Sequence, residues 1–285
     1  MYELSPWTTD HPAVEVWSER RLPFEPKGTL LELRTRMRAE LRNLRVADDE
    51  VIEAAYQSDD LDFCDVENVL FYNVGAVAFS ASRARAVRFW RSFGSPPTAP
   101  SGGQLPHYSC YRAGTAISRF QSEARLSVLR SAPFPSASKL RDPWFVWHSV
   151  RTGDFEGEAF LASTEKFSLR VALEIGASHF RPTVVPLLKP VLDGLVTALH
   201  SHDGRDLDQI CARLSTRLPI LANEVSALLV HNPATLLGTR RLVWPFRDGL
   251  QLNPADDRLA AAEFAVTLSG DGETRICAEI FRAGP

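Results

Sequence analysis

The sequence predicts an α+β protein, with mixed or antiparallel sheets, helices packed on one face, and room for two diverged copies of one small α+β unit. Three observations point there. Residues 168–176, SLRVALEIG, alternate apolar and polar side chains with the period of two expected of a half-buried strand. That strand leads into an amphipathic stretch from Thr183 to Leu199, which predicts a helix. Near the end, AAAEFAVTL and RICAEIF flank Gly270-Asp271-Gly272 and predict a terminal hairpin.

The chain has 285 residues, enough for one large domain or two of ordinary size. With 45% hydrophobic and 24% charged residues it has ample material for a core. No apolar run approaches the roughly 18–20 residues that cross a bilayer, so no membrane partner is expected. The first residues lack a basic segment followed by an apolar one, so the expected compartment is the cytoplasm. The four cysteines, Cys64, Cys110, Cys211 and Cys277, are scattered without CxxC spacing and read as lone thiols. A net charge of −3 argues against a strongly basic nucleic-acid binder.

Taken in order, residues 1–26 read as an extended arm anchored by Trp7, Trp17 and Phe24, which would also suit a protein partner. Leu30, Leu33, Met37, Leu41 and Leu44 recur at helical spacing over 27–44. The other face of that helix carries Arg34, Arg36, Arg38, Arg42 and Arg45, a solvated face or a phosphate-facing patch. Residues 48–56 suggest a short helix, and Val69–Phe79 a β-prone run. Residues 84–93, with Arg83, Arg85, Arg88 and Arg91, read as a strand. The Pro- and Gly-rich 94–106 is the best internal boundary. A strand and a short helix are expected over 107–130, then a second Pro/Ser stretch over 132–143. WFVWHSV reads as a strand and GDFEGEAFL as a turn and strand. Pro186 and Pro190 are tolerated only near the start of the 183–199 helix. Helices are expected over 206–218 and 222–230, and LVWPF as a short strand. These features divide the chain into an N-terminal α+β region (1–93), a linking region (94–143) and a C-terminal α+β domain (144–285) with a helical insertion at about 206–245.

Two constellations carry possible chemistry. Asp59, Asp60, Asp62, Asp65 and Glu67 crowd one segment. On an extended chain Asp65 and Glu67 would share a face, as oxygen ligands of a hard cation such as Mg²⁺ do. The plainer reading is an acidic loop capping a strand. His200 and His202 form an HxH, but no third ligand at a known spacing follows, and histidines suit a helix end. The chain contains no GxSxG, Gly-rich phosphate loop, HExxH or dinucleotide fingerprint.

The stretch RPTVVPLLKPVLDGL, following SLRVALEIG, resembles the signature region of the RusA-type Holliday-junction resolvases. Leu187, Lys189, Asp193, Gly194 and Leu195 match that pattern, and Asp256-Asp257 is similar to its later acidic pair. Thr183, Val185 and Pro186 stand where the family has two metal-binding acids and an asparagine. CDVENVLFYNVG resembles the acidic half of the same signature through Asp65, Glu67, Asn68, Val69 and Leu70, with Phe71 in place of the lysine. The resemblance implies a Mg²⁺-dependent endonuclease fold acting on branched or duplex DNA, with weakened or lost cleavage. Asp65, Glu67, Asp256 and Asp257 would be metal ligands, and Lys189, Asp193, Asp256 and Asp257 catalytic groups. It also implies two diverged copies, one keeping the acids and one keeping Lys189 and Asp193. The competing expectation is a non-enzymatic interaction subunit of a larger bacterial assembly.

Overall fold

The computed structural model describes residues 1–59, 65–115, 120, 124–157, 160–177, 184–231 and 235–283. The first part of the chain forms β1 (Tyr2–Ser5), β2 (Ala13–Ser18), α1 (Thr29–Leu41) and β3 (Glu50–Ser58). Two helical turns follow, a π-type turn at Asn68–Tyr72 and a 3₁₀ turn at Ala76–Phe79, then β4 (Ala86–Phe93) and β5 (His107–Thr115). The second part begins with β6 (Arg125–Phe134), α2 (Pro143–Thr152), β7 (Asp154–Glu156), β8 (Phe167–Ile175) and α3 (Val185–Ala198). Next come β9 (Ser201–His202), α4 (Leu207–Arg217), α5 (Ala222–Val230), β10 (Thr239–Arg240), β11 (Val243–Phe246) and β12 (Gly249–Leu252). A 3₁₀ turn at Asp256–Arg258 leads into β13 (Leu259–Leu268) and β14 (Thr274–Arg282).

Ten of these strands form one mixed sheet in the order β1-β2-β5-β3-β4-β13-β8-β14-β6-β7. At its centre β4 and β13 pair antiparallel. Outward on either side the arrangement repeats. β3 lies parallel to β4, as β8 does to β13. β5 pairs antiparallel with β3, as β14 does with β8, and β2 with β5 as β6 with β14. Apart from β1, β7 and the insertion from β9 to β12, the order along the chain repeats too: strand, helix, strand, helical segment, strand, strand. The chain is two diverged copies of one α+β unit joined about a dyad between β4 and β13. The turns at 68–79 occupy in the first copy the place of α3 in the second.

One apolar core fills the space between the sheet and the helical layer, drawing on α1, both turns, α2 and α3. Phe71, Phe79, Phe89 and Tyr111 meet edge-on or tilted in its first half. The helices lie closest where α3 crosses α2. A Cβ on Gly194 would stand 2.5 Å from the Pro143 carbonyl oxygen and 2.5 Å from Val146 Cβ, so only glycine permits this approach.

The opposite face carries a charge ladder. Arg112 bonds Glu53, which bonds Arg88, which bonds Glu263. Glu263 bonds Arg170, which bonds Glu279, which bonds Arg125. The ladder crosses seven strands and is best buried at the dyad, where the Arg88 side chain is 7% exposed.

Several elements differ from expectation for physical reasons. WFVWHSV is α2, not a strand. Asp142 caps it by accepting from Trp144 N–H at 3.0 Å, and Pro143 fits its first turn. Trp144, Phe145, Val146, Trp147 and Val150 are all buried, so burial on most sides hides the helical period. The run 69–79 hides its helical turns in the same way. Residues 48–56, expected as a short helix, lie largely in β3, whose buried residues alternate. The region 94–143, expected as a linker with one strand and a short helix, supplies both β5 and β6, and the second strand expected in GDFEGEAFL reduces to β7. The predicted terminal hairpin does not form: β8 lies between β13 and β14. Their connection crosses the end of β8 at Gly176, where a Cβ would stand 2.2 Å from the Gly272 oxygen.

The N-terminal arm is β1 and β2. Trp17 is buried with Ala99 and Leu105, and its Nε1 donates to the Pro97 carbonyl at 2.9 Å. The helices expected over 183–199, 206–218 and 222–230 form as α3, α4 and α5. Among the described residues no helix is long and apolar enough to cross a membrane.

Candidate functional site

Five of the six residues singled out from the sequence converge where the helical segments of the two copies meet. Lys189 lies one turn into α3, and Asp193 one turn further, an i,i+4 pair with Nζ 3.1 Å from Oδ1. Glu67 immediately precedes the first helical turn of the other copy. Its Oε2 stands 3.6 Å from Lys189 Nζ, and its carboxylate is 6% exposed. The Tyr72 ring, one turn on, lies 5.2 Å from the same ammonium. Asp65 accepts from Asn68 Nδ2. Asp256 opens the 3₁₀ turn before β13, close enough to act electrostatically on both Lys189 and Glu67.

That last turn is held firmly. His200 Nε2 accepts from the Ala255 N–H at 3.3 Å, while its Nδ1 lies 3.1 Å from the Gly238 carbonyl oxygen. Arg258 donates to the Glu165, Leu237 and Ala162 carbonyls. His202 likewise uses both nitrogens, accepting from Leu242 N–H and facing the Arg205 carbonyl. The HxH pair is thus a structural brace with each ring committed on both sides. Asp257 lines neither cleft at the cluster; it acts on Arg258 instead.

The cluster sets four carboxylates against one ammonium. Burial pushes Glu67 up to about 8; Lys189 opposes this, and Asp193, Asp256 and Asp65 reinforce it. Burial and the nearby Asp65 carry Asp256 up to about 8, against the pull of Lys189. Asp193 is raised by burial, with Lys189 opposing. Burial works against the Lys189 charge, but Glu67, Asp193 and Asp256 outweigh it and hold the ammonium above its ordinary range. Glu67 and Asp256 are both shifted toward their protonated forms beside the Lys189 ammonium. Glu67 Oε1 is buried with no hydrogen-bond partner among the described residues.

The acids expected to hold Mg²⁺ are gathered around an ammonium. Among the described residues no three His, Cys, Asp or Glu side chains are placed to hold a metal ion. Lys189 stands among the acids, and Asp257 is engaged with Arg258.

Two open clefts meet at the cluster and share Asp65 and Lys189. One, of about 600 Å³, is lined by Arg20, Arg21, Phe24, Tyr72, Asn73 and His107 among others. The other, of about 790 Å³, is lined by Trp144, Arg217, Phe246, Gln251, Asn253 and Asp256 among others. Together they form one groove with the cluster in its floor. Phe24, Tyr72 and Phe246 are exposed along it at 57%, 45% and 50%. Phe24 and Tyr72 stack at 5.2 Å, and the Arg247 guanidinium lies 5.2 Å from the Phe246 ring. Sequence reasoning missed Tyr72, Arg217 and Phe246. Tyr72, at helical spacing from Asn68, was within reach; Arg217 and Phe246 arrive from the insertion with no local motif. Asp60, Asp62, Cys64 and Thr183 lie outside the described residues.

No family model matches the chain, and no curated protein does. Among solved structures, a cyanuric acid hydrolase, described as an evolutionary innovation by structural concatenation, aligns with 11% identity over 99% of this chain and 68% of that one. Its TM-score is 0.21, too low to carry an argument. The resolvase resemblance is therefore corrected: no comparison returns that family. The short match has local causes. Lys189 and Asp193 are an i,i+4 pair, Leu195 is core, and Gly194 admits α2.

Proposed function

We propose that the groove binds nucleic acid, as a single strand or at a branch, with little or no phosphodiester cleavage. The observation that carries this reading is the set of exposed aromatics, Phe24, Tyr72 and Phe246, among Arg20, Arg21 and Arg217 in the lining of the groove, with Arg247 against the Phe246 ring. Exposed rings offer stacking faces to bases, and guanidiniums track phosphates. Protonation of Glu67 and Asp256 moderates the negative charge that would otherwise repel a polyanion from Lys189. Weak cleavage follows from a cluster whose acids are tied to a lysine rather than set out as a cation's ligands.

Anisotropy of labelled single-stranded and branched DNA tests the reading. Phe24→Ala and Phe246→Ala are expected to weaken binding by about 1–3 kcal/mol each. Wild-type protein that fails to bind either DNA at about 100 µM at low salt would sink it. Incubation of the same DNAs with Mg²⁺ tests the cleavage clause, with intact DNA expected.

The interaction-subunit reading has one observation in its favour. β1 ends the sheet, and among the described residues its outer edge pairs with no strand. Such an edge accepts a strand from a partner. Recovery of one stoichiometric partner, lost on Leu4→Pro, would favour it over DNA binding.

A further inference from the structure

We infer that a second cleft, remote in its lining from the groove, is a binding site for a phosphate group. It encloses about 400 Å³ between the end of α1 and the segment entering β4, and is lined by Arg45, Asp48, Ser82, Arg83 and Arg85 among others. It shares no lining residue with either arm of the groove. Three arginines and one aspartate line it, in a chain whose net charge is −3.

The walls are built before any ligand arrives. Arg45 Nη1 donates to the Arg42 carbonyl at 2.7 Å and the Leu44 carbonyl at 3.3 Å, which fixes its guanidinium past the end of α1. Across the cleft, the Ala84 carbonyl accepts from Val184 N–H at 3.3 Å and the Arg85 carbonyl from Val266 N–H at 2.8 Å. The Ser82 hydroxyl donates to Phe79 O at 2.7 Å. The backbone carrying Arg83 and Arg85 is therefore pinned at three points. Arg83 itself has φ 51°, the left-handed region that a side chain with a Cβ occupies at a cost and glycine occupies freely. Strain of this kind persists where surroundings enforce it, and ligand sites are where it collects. A guanidinium presents paired donors that match two phosphate oxygens, and pre-ordered donors lose little entropy on binding.

The shared chemistry is a phosphate, either a free monoester or inorganic ion, or one phosphate of a nucleic-acid backbone. Calorimetric titration of the full chain with inorganic phosphate, with chloride as control, reads the site. Arg45→Gln is expected to weaken phosphate by about fivefold or more, equivalent to about 1 kcal/mol. Arg83→Gly should weaken it as much while leaving the melting temperature unchanged or higher, because the left-handed strain is relieved. That pairing of lost affinity with kept stability excludes misfolding as the cause. The same variants titrated with a single-stranded oligonucleotide separate the sources. Weaker oligonucleotide binding assigns a backbone phosphate, and unchanged binding a free one. No phosphate binding by the wild type, or wild-type affinity kept in both variants, overturns the inference.

Discussion

Glu67→Gln converts a buried carboxyl that must titrate into one that cannot. In the fold Glu67 is raised from its ordinary 4.5 to about 8, chiefly by burial. The native state therefore holds a proton that the unfolded chain releases above pH 4.5. Stability from this group is greatest below that value and is lost as pH rises through 8. At about 1.4 kcal/mol per pH unit, the ionised side chain costs on the order of 4–5 kcal/mol by pH 9. Glutamine copies the shape of the protonated acid, and Lys189 keeps its 3.1 Å partner Asp193. The variant should match the wild type at pH 5 and exceed it by about 2–4 kcal/mol at pH 9, after allowance for the lost 3.6 Å pairing with Lys189. Urea unfolding followed by tryptophan fluorescence at pH 5, 7 and 9 measures this. A variant less stable than the wild type at pH 9, or a difference that does not vary with pH, would refute the reasoning.

Gly194→Ala in mid-helix would ordinarily stabilise by about 1 kcal/mol, but here the new methyl meets Pro143 O and Val146, so a loss of about 1–3 kcal/mol is expected in denaturant midpoints. Arg88→Ala leaves Glu53 and Glu263 facing each other with their shared cation gone, and about 3–5 kcal/mol of stability should go with it, read by the same titration. His200 is pushed down to about 4 by burial, so it stays neutral in the fold while the unfolded chain protonates near 6.5. Its contribution is lost as pH falls through 6.5 toward 4, and His200→Asn should flatten that acid limb of the melting temperature while lowering its value at pH 7.

How much of this was legible depended on whether burial was one-sided. β8 shows its alternation because its polar positions, Arg170 and Glu174, face the charged side of the sheet while Leu169, Val171 and Leu173 enter the core. α1, α4 and α5 were found because each keeps an exposed face. α2 and the turn at 68–72 bury consecutive residues, Trp144–Trp147 in one and Val69–Phe71 in the other, so their sequences lose the period that marks a helix. The two halves of the site were both flagged, Asp65 and Glu67 in one place and Lys189 and Asp193 in another. What the sequence did not carry was the groove, because its arms come from residues near 20, 72, 144, 217 and 246 that no local pattern connects.

The dyad explains why neither half alone reads as a site. The exchange of β4 for β13 also exchanges Arg88 for Glu263, Glu53 for Arg170 and Arg112 for Glu279 by their matched registers. One copy presents Arg-Glu-Arg and the other Glu-Arg-Glu. Two identical units would set Arg88 against a second Arg88, or Glu263 against a second Glu263, where the side chains are 7% and 12% exposed. Like charges so placed repel strongly. Copies free to diverge within one chain can make the central pair complementary. The cluster above the other face follows the same rule. Phe71, in the helical turn beside Glu67, is spent on the aromatic core, while Lys189 comes from α3. The first copy supplies Asp65 and Glu67, and the second supplies Lys189, Asp193 and Asp256. The cluster is drawn from both halves, so it becomes visible only when the halves are brought together.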